Sequence, residues 1–221
     1  MKILAISTSS SVCSVSILDD CEVINELNIK DTKTHSEKLM LLIDKALNDS
    51  NIGLSDIDLI ACDNGPGSFT GIRIGIATIK ALAEVQNLPV ISVSSLEALS
   101  YNNKSEKEFI CSIIDAKNNQ VYCGIFNNKH QLVEDYMAND INEIMKTINK
   151  YNNIIFIGDG AVVHKELLDN KNICNDIEIH SKNVGLCAFD KYKQGLKETA
   201  DSILPMYLRK SQAERMKKKS E

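Results

Sequence analysis

The order of predicted secondary-structure elements is the feature of this sequence that most constrains its fold. Hydrophobic periodicity predicts, in the first half, three strands, a helix, and then alternating strands and helices. Thr34 with Glu37 forms a capping-box pattern at the start of the first helix, and Ser94 with Glu97 repeats it at the third. The predicted strands are 2–7, 12–18, 22–29, 59–63 and 89–93, and the predicted long helices are about 34–48 and 69–86.

The same order returns after a polar stretch, 102–108, that is typical of a linker. Two consecutive β-β-β-α-β-α-β-α units indicate an α/β protein of two lobes, and this order resembles the actin-like and heat-shock-chaperone ATPase (ASKHA) fold. Such a fold implies a cleft between the lobes, but fold analogy alone assigns no activity. The predicted domains are 1–103, 104–207 and a basic tail, 208–221. The predicted strands of the second half are 109–115, 121–126, 131–137 and 154–157, its helices are 140–150 and 162–169, and a weaker strand and helix share 177–195.

Charge separates the tail from the rest of the chain. The protein has 25 basic and 30 acidic side chains, but its last fourteen residues hold six basic and two acidic ones, which leaves residues 1–207 at −9. An acidic body repels a polyanion, so contact with nucleic acid is expected through the lysines at 217–219 or through a partner protein. A solvated helix end is the alternative interpretation of the tail.

Cysteine use and hydropathy predict the compartment. The seven cysteines include no C-x-x-C pair, and Cys13, Cys62, Cys111 and Cys123 lie in apolar stretches where a thiol is usually a small core residue. This pattern suits a reducing cytosol. The first residues do not form a secretory signal and no run of 18 apolar residues follows, so we predict a soluble, cytoplasmic protein without membrane contact.

A glycine-rich segment, Gly65-Pro-Gly-Ser-Phe-Thr-Gly-Ile-Arg-Ile-Gly75, lies between a predicted strand and a predicted helix. It is not a Walker A loop, because Ile72 stands where the lysine belongs, and its glycines are one residue too far apart for the dinucleotide fingerprint. Backbone N–H groups of the loop could still form an anion-binding nest. Two glycines inside a helix indicate a close contact, since each costs about 1 kcal/mol relative to alanine.

The first two long helices each carry a face that is a candidate for partner contact. Small residues on such a face let a second helix approach closely, but packing against the protein's own sheet explains them equally well. The candidate residues are Leu39, Leu42, Ile43 and Ala46 on the first helix, and Gly71, Gly75, Thr78 and Leu82 on the second.

A second group of residues lies where a nucleotide would bind between the lobes of an actin-like fold. A neutral hydroxyl at the end of the first strand cannot position Mg²⁺ or water as a carboxylate would. Plain hairpins and β-turns account for the same residues. The group is Ser7, Thr8 and Ser9 after the first strand, with Asp115, Gly158 and Gly160 in the second half.

Residue spacing predicts no catalytic or metal-binding residue. His35 would need a second ligand one turn further on, and that position is Leu39. The remaining histidines lack ligand spacing, and the sequence has no G-x-S-x-G elbow for a nucleophilic serine.

Taken together, several motifs of this chain resemble the TsaB (YeaZ) family. The similarity runs almost end to end, and the glycine-rich segment with the closing Pro-x-Tyr-Leu-Arg is its most specific part. The motifs are Ile3-Leu-Ala-Ile, His35-Ser-Glu-Lys-Leu, the glycine-rich segment, Asp115-Ala-Lys with Gln120-Val-Tyr, Gly158-Asp-Gly and Pro205-Met-Tyr-Leu-Arg.

This resemblance implies a noncatalytic subunit of a bacterial tRNA-modifying complex. Family members work with a TsaD-like catalytic subunit and a TsaE-like ATPase to attach a threonylcarbamoyl group to N6 of the adenine beside the anticodon of tRNAs that read ANN codons. The catalytic paralogue carries an H-x-x-x-H metal site that Leu39 interrupts here, and the family often has aspartate where this chain has Ser7. The implied chain needs no cofactor, since ATP is used by the complex, and it meets tRNA indirectly.

The resemblance also implies that the subunits join through their first two long helices, with a homodimer when the catalytic subunit is absent. It therefore favours partner contact for the two helix faces, and it predicts that Gly75→Leu abolishes pairing while leaving the monomer folded. The alternative function is a stand-alone actin-like ATPase or a metal-dependent hydrolase. That alternative requires a bound divalent metal and turnover by the isolated protein.

Overall fold

The computed structural model describes residues 1–30, 35–168 and 172–209, with the backbone alone at His35. Nine strands and six helices alternate in these ranges, with short 3₁₀ turns at Leu54–Asp56 and Ala200–Ser202. The strands are β1 (Lys2–Ser7), β2 (Val12–Asp19), β3 (Glu22–Lys30), β4 (Leu59–Asp63), β5 (Val90–Val93), β6 (Phe109–Asp115), β7 (Gln120–Asn127), β8 (Leu132–Asp140) and β9 (Ile154–Ile157). The helices are α1 (His35–Asp49), α2 (Phe69–Gln86), α3 (Ser95–Ser100), α4 (Ile141–Ile148), α5 (Asp159–Val163) and α6 (Ser181–Lys193).

The first sheet contains five strands in the order β3-β2-β1-β4-β5. β1 pairs antiparallel with β2 and parallel with β4, and β5 extends the parallel side. Every side chain from Ile3 to Ile6 is fully buried, because a central strand covered on both faces needs a continuous apolar run. Helices α1 and α2 cover one face of this sheet.

The second sheet repeats the topology with four strands in the order β8-β7-β6-β9. β6 takes the place of β1, antiparallel to β7 and parallel to β9. The described residues near 177 form no fifth strand; an isolated bridge from Phe156 to Ile173 extends the parallel side instead. Asn102 holds this segment: its Nδ2 donates to the carbonyl oxygens of Asp176 at 3.0 Å and Glu178 at 2.9 Å. The backbone there is satisfied by a side chain rather than by a neighbouring strand.

Helices α3 and α6 each pack against the sheet formed by the other half of the sequence. α6 covers β1, β2, β4 and β5, whereas α3 contacts β6 and β7. One apolar core therefore joins the two sheets, and it includes Ile3, Leu59, Ile110, Ile157 and Val184. The boundary predicted after residue 103 stays a prediction, and the packing layers do not follow it.

Residues 198–209, which we call the C-terminal strap, return to the first sheet and run beside α2. Glu198 forms an antiparallel bridge with Val90, and Ile203 is fully buried in the core beneath α1 and α2. The backbone N–H of Met206 donates to the carbonyl oxygen of Asn64 at 2.7 Å. The strap thus reaches the glycine-rich loop from which α2 begins.

Two sequence predictions lie outside the described residues: the Thr34 cap and most of the basic tail, 210–221. The predicted helix at 69–86 and the predicted strand at 59–63 are confirmed by α2 and β4. The helix predicted at 162–169 is misplaced: α5 spans Asp159–Val163, and the described residues 164–168 form a turn instead. Among the described residues, no helix is both long enough and apolar enough to cross a membrane.

Candidate partner-binding face and interlobe cleft

The predicted contact residues of α1 are buried inside the protein. Leu39, Leu42, Ile43 and Ala46 are at most 5% exposed and pack in the core between α1, α2 and the first sheet. The structure therefore corrects their assignment to a partner surface. An amphipathic helix turns its regular apolar stripe toward its own sheet, and the partner surface must lie elsewhere on the helix.

The two glycines of α2 also serve inward packing. A Cβ at Gly71 would overlap the carbonyl oxygen of Thr8, and a Cβ at Gly75 would overlap Thr8 Oγ1. Thr8 Oγ1 also donates to the carbonyl oxygen of Gly71 at 2.8 Å. The glycines admit the turn after β1, so Gly75→Leu would disturb the monomer, contrary to the sequence prediction. Thr78 and Leu82 are half-buried.

The opposite sides of α1 and α2 form an exposed surface, which we call the α1–α2 face. Leu41 is 70% exposed although Leu39, two residues earlier, is 1% exposed. Large apolar side chains on α1 and at the end of α2 surround small exposed residues in the middle of α2. The signal for this face in the sequence is a second set of apolar positions on α1, Met40 and Leu41, outside the main stripe. The face consists of exposed Met40, Leu41, Thr70, Arg73, Ala77, Ala81 and Val85, with half-buried Ile74 at its edge; Thr70 and Ile74 also line the interlobe cleft.

A cleft of about 750 Å³ lies between the lobes. This volume is within the range of small-molecule sites, and the lining is partly apolar. Ion pairs at its rim join Lys30 to Glu178 at 2.8 Å and Lys117 to Asp115 at 2.6 Å. Its aliphatic lining includes Leu99, Ile114, Ile177 and Ile179.

The nucleotide-site residues predicted in the first lobe are engaged by the protein itself. The buried carboxylate of Asp63 accepts hydrogen bonds from Ser7 Oγ at 2.7 Å, from Ser9 Oγ, and from the backbone N–H of Thr8 at 3.2 Å. At the start of α2, the Ser9 carbonyl oxygen accepts the backbone N–H of Ser68 at 2.7 Å. Ser7 and Thr8 are fully buried, and Ser9 lines the cleft. The Ser7 and Ser9 hydroxyls and the N–H groups of Thr8 and Ser68 are therefore engaged within the protein rather than directed at a ligand.

Asp63 is a central residue that the sequence analysis did not assign. Burial raises the pKa of this carboxyl, while the hydrogen bonds from Ser9, Ser7 and Thr8 oppose that rise. Ser95 Oγ donates to Ser9 Oγ at 2.9 Å, which extends the network to α3. The signal for Asp63 in the sequence is its position: it is a carboxylate at the end of an otherwise apolar strand. Its role here is to tie the turn after β1 to the end of β4.

The predicted residues of the second lobe form a related arrangement. The backbone N–H of Asp115 donates to Asp159 Oδ1 at 2.9 Å. Burial alone would raise the pKa of the Asp115 carboxyl, but hydrogen bonds from the ammonium and N–H of Lys117 hold it below its ordinary value. The Lys117 ammonium supplies the positive charge that a bound cation would otherwise bring. A Cβ at Gly158 or Gly160 would overlap β6 near residue 113, so these glycines allow α5 to pack there and do not line the cleft.

A search of the described ranges found no group of three or more His, Cys, Asp or Glu side chains that could hold a metal ion. On α1, the residue one turn after His35 is Leu39, whose side chain is buried in the core. The cleft is lined in part by the protein's own ion pairs and hydroxyl groups, whereas the α1–α2 face exposes the large apolar side chains of Met40, Leu41 and Val85.

Two lobes with one repeated topology and an intervening cleft define a protein of the actin-like ATPase fold class. The activator of 2-hydroxyisocaproyl-CoA dehydratase from Clostridium difficile shares this fold, with a TM-score of 0.56 and 11% identity over 94% of this chain and 100% of that one. YeaZ from Pseudomonas aeruginosa is more similar, with a TM-score of 0.82 and 24% identity over 94% of this chain and 99% of that one. The predicted fold class is confirmed.

Sequence comparison identifies the family within this class. The family model described as TsaD, tRNA N6-adenosine threonylcarbamoyltransferase, matches residues 23–217. The tRNA threonylcarbamoyladenosine biosynthesis protein TsaB of Bacillus subtilis is 33% identical over 97% of this chain and 96% of its own length. TsaB of Haemophilus influenzae is 30% identical over 95% of this chain and 94% of its own length. The chain belongs to the TsaB (YeaZ) family, as its motifs predict.

Proposed function

We propose that this chain is a noncatalytic scaffold subunit in the attachment of threonylcarbamoyl to N6 of the adenine beside the anticodon of tRNAs that read ANN codons. The observation that carries the proposal is the end-to-end 33% identity to the Bacillus subtilis tRNA threonylcarbamoyladenosine biosynthesis protein TsaB. A TsaD-like subunit performs the transfer, and a TsaE-like ATPase consumes ATP. This chain binds the catalytic subunit, and it meets tRNA through the complex.

The chemistry of the cleft supports the noncatalytic role. Position 7 holds a serine, and its hydroxyl is committed to Asp63 rather than directed at a ligand. The Ser9 carbonyl occupies the start of α2, and Lys117 neutralises Asp115. A phosphate or a divalent cation would have to displace these internal partners. The proposed subunit accordingly needs no cofactor of its own.

The α1–α2 face supports the scaffold role. Met40, Leu41 and Val85 are large apolar side chains left in water, and their burial against a partner contributes about 25 cal/mol per Å² of transfer free energy, which offsets part of the entropic cost of association. Small Thr70, Ala77 and Ala81 between them let a partner helix approach closely. The proposed occupant is the TsaD-like subunit, and a second copy of this chain takes its place when that subunit is absent.

The acidic body fits a scaffold that meets tRNA through its partners in the cytoplasm. Residues 1–207 carry a net charge of −9, which disfavours direct binding of a polyanion by this part of the chain. Contact through the basic tail is the competing route. Deleting residues 210–221 distinguishes the two, because loss of a salt-dependent affinity for tRNA would indicate direct contact.

Reconstitution of the reaction tests the proposal. Threonylcarbamoyl transfer to tRNA is measured with purified TsaD-like and TsaE-like proteins, the threonylcarbamoyl-adenylate synthase and ATP, with and without this chain. Transfer is expected only when the chain is present, and the isolated chain is expected to show no ATP hydrolysis with or without Mg²⁺. Equal transfer to tRNA with and without this chain would contradict the proposal. Metal-dependent turnover by the chain alone would favour the stand-alone ATPase or hydrolase instead.

A further inference from the structure

We propose that the C-terminal strap forms one wall of the partner-binding surface, so that the catalytic subunit contacts α1, α2 and the strap together. This inference rests on the proposed function, since the occupant is the same TsaD-like subunit. It gives a role to the closing Pro205-Met-Tyr-Leu-Arg motif, which the cleft does not explain.

Three contacts place the strap along one side of α2. The rings of Phe69 and Tyr207 stack with centroids 4.8 Å apart, and Arg73 Nε donates to the Tyr207 hydroxyl at 2.7 Å. Further along the helix, Lys80 Nζ donates to the carbonyl oxygen of Asp201 at 3.3 Å. Residues 69, 73 and 80 share one side of an α-helix, so the strap runs antiparallel to α2 over about three turns.

Helix α1 lies against a different side of α2. Ile74 and Leu82 are half-buried against the core that α1 and α2 share. Thr70, Ala77 and Ala81 fall between this side and the strap side, and all three are exposed. The exposed strip of α2 therefore forms the floor of a shallow channel. Its side chains are small, and α1 and the C-terminal strap lie on either side of it. Such a shallow channel receives the ridge of side chains on another helix.

Both walls of this channel carry large apolar residues. Met40 and Leu41 stand on the α1 side, and Leu204 and Tyr207 stand on the strap side, with Leu204 69% exposed. Ile203 is fully buried, so the extended backbone directs the next side chain, Leu204, outward. Tyrosine and arginine are enriched in interface cores, and Tyr207 with Arg73 provides that pair.

The area that a stable complex buries also favours a surface wider than two helices. α2 has 18 residues and is about 27 Å long, and two helices about 10 Å wide give a footprint of about 500 Å². Specific complexes usually bury about 800 Å² on each partner. The strap lies beside α2 over about three turns and adds to this footprint.

The strap is held in place before a partner arrives. Met206 donates to the Asn64 carbonyl at 2.7 Å, and a Cβ at Gly65 would lie 2.8 Å from the Met206 carbonyl oxygen. Asn64 Nδ2 also donates to the carbonyl oxygen of Leu204 at 3.4 Å. A wall that is already ordered loses little conformational entropy on binding.

The test uses Leu204→Glu in the full-length chain and isothermal titration calorimetry with the purified TsaD-like subunit. We expect affinity to fall at least tenfold, because a carboxylate would be buried in the apolar wall. Val163→Glu is the matched control: Val163 is 59% exposed on α5, in the other lobe, and its replacement is expected to change affinity less than twofold. Leu204→Ser removes apolar surface without adding charge and is expected to weaken binding about threefold, with an unchanged circular dichroism spectrum.

Leu41→Glu separates this inference from the proposed function. If Leu41→Glu abolishes binding and both Leu204 variants bind like the wild type, the strap is not part of the surface and the scaffold role stands. If neither position affects binding, the partner does not use the α1–α2 face, and both assignments fail. Loss of affinity at both positions, with the control unchanged, supports the strap as the second wall.

Discussion

Single side chains around the turn after β1 determine how closely α2 approaches the first sheet. Thr8 inserts toward α2 where Gly71 and Gly75 leave room, and its hydroxyl donates to the Gly71 carbonyl. Asp63 fixes the same turn from the other side through Ser7, Ser9 and the Thr8 N–H. A substitution at one of these positions therefore acts on the folded monomer before it can act on any complex.

Gly71→Ala is expected to lower the free energy of unfolding by about 1–3 kcal/mol, because the new methyl group would overlap the backbone carbonyl of Thr8. Urea unfolding followed by circular dichroism measures this change. Gly53→Ala is the matched control, since its Cβ would meet exposed side-chain oxygens at 3.3 Å. Equal stability of the Gly71 and Gly53 variants would show that the turn after β1 moves to accommodate the methyl group at little cost in free energy.

The pKa of Asp63 predicts a pH dependence of stability. Burial raises this pKa, so ionisation of Asp63 favours the unfolded chain, and the contribution of Asp63 to the free energy of unfolding increases as pH falls through its folded-state pKa toward the ordinary aspartate pKa of about 4. Asparagine does not titrate. The free energy of unfolding of the wild type minus that of Asp63→Asn is therefore expected to be larger at pH 5 than at pH 7. A difference that is constant or smaller at pH 5 contradicts the raised pKa.

At the scale of an element, α1 shows two kinds of apolar residue on one helix. The regular stripe that includes Leu39 faces the first sheet, and Met40 with Leu41 faces water. Periodicity located the helix correctly, but it could not say which apolar positions a partner would contact. The main stripe of an isolated amphipathic helix looks the same whether it meets its own sheet or another chain.

Leu39→Ala and Leu41→Ala form a matched pair on this helix. Leu39→Ala is expected to cost about 2–5 kcal/mol of stability, because it opens a cavity in the core. Leu41→Ala is expected to change stability by less than about 0.5 kcal/mol and to weaken binding of the TsaD-like subunit about fivefold to tenfold. Chemical denaturation and calorimetric titration measure the two effects. Unchanged affinity for Leu41→Ala would exclude this residue from the interface.

At the scale of the whole molecule, the exchange of α3 and α6 makes the two sheets one packing unit. Val184 of α6 lies in the same core as Ile3 of β1 and Ile110 of β6. Asn183 of α6 also donates to Asn102, which holds the segment at 176–178. The folding of each lobe therefore depends on the other, although the repeated element order in the sequence is typical of two separate domains.

A fragment of residues 1–103 is expected not to fold, because β1, β2, β4 and β5 would lose the cover of α6. Far-ultraviolet circular dichroism and a proton–nitrogen correlation spectrum test this expectation. The full chain, by contrast, is expected to unfold in one cooperative transition. Dispersed amide signals from the fragment would show that the first lobe is stable alone.

The amino-acid sequence by itself determined the element order of the first half, most of the repeated topology of the second half, and the family; the strand predicted near 177 is not formed by the described residues. These follow from local periodicity, from capping patterns and from motifs such as the glycine-rich segment, all of which lie within short stretches of chain. Two of the residues predicted for a nucleotide cleft, Ser9 and Asp115, line the interlobe cleft, and their role in binding a nucleotide stays a prediction.

Only the tertiary structure decided which side of each element is buried. In the folded protein Leu39, Gly71 and Gly75 face inward, and other residues form the α1–α2 face. The tertiary structure also engaged the hydroxyls of Ser7 and Ser9 with Asp63 and brought the strap alongside α2. The physical reason is that burial and hydrogen bonding depend on partners far apart in the chain: Asp63 meets Ser7 across 56 residues, and Tyr207 meets Arg73 across 134.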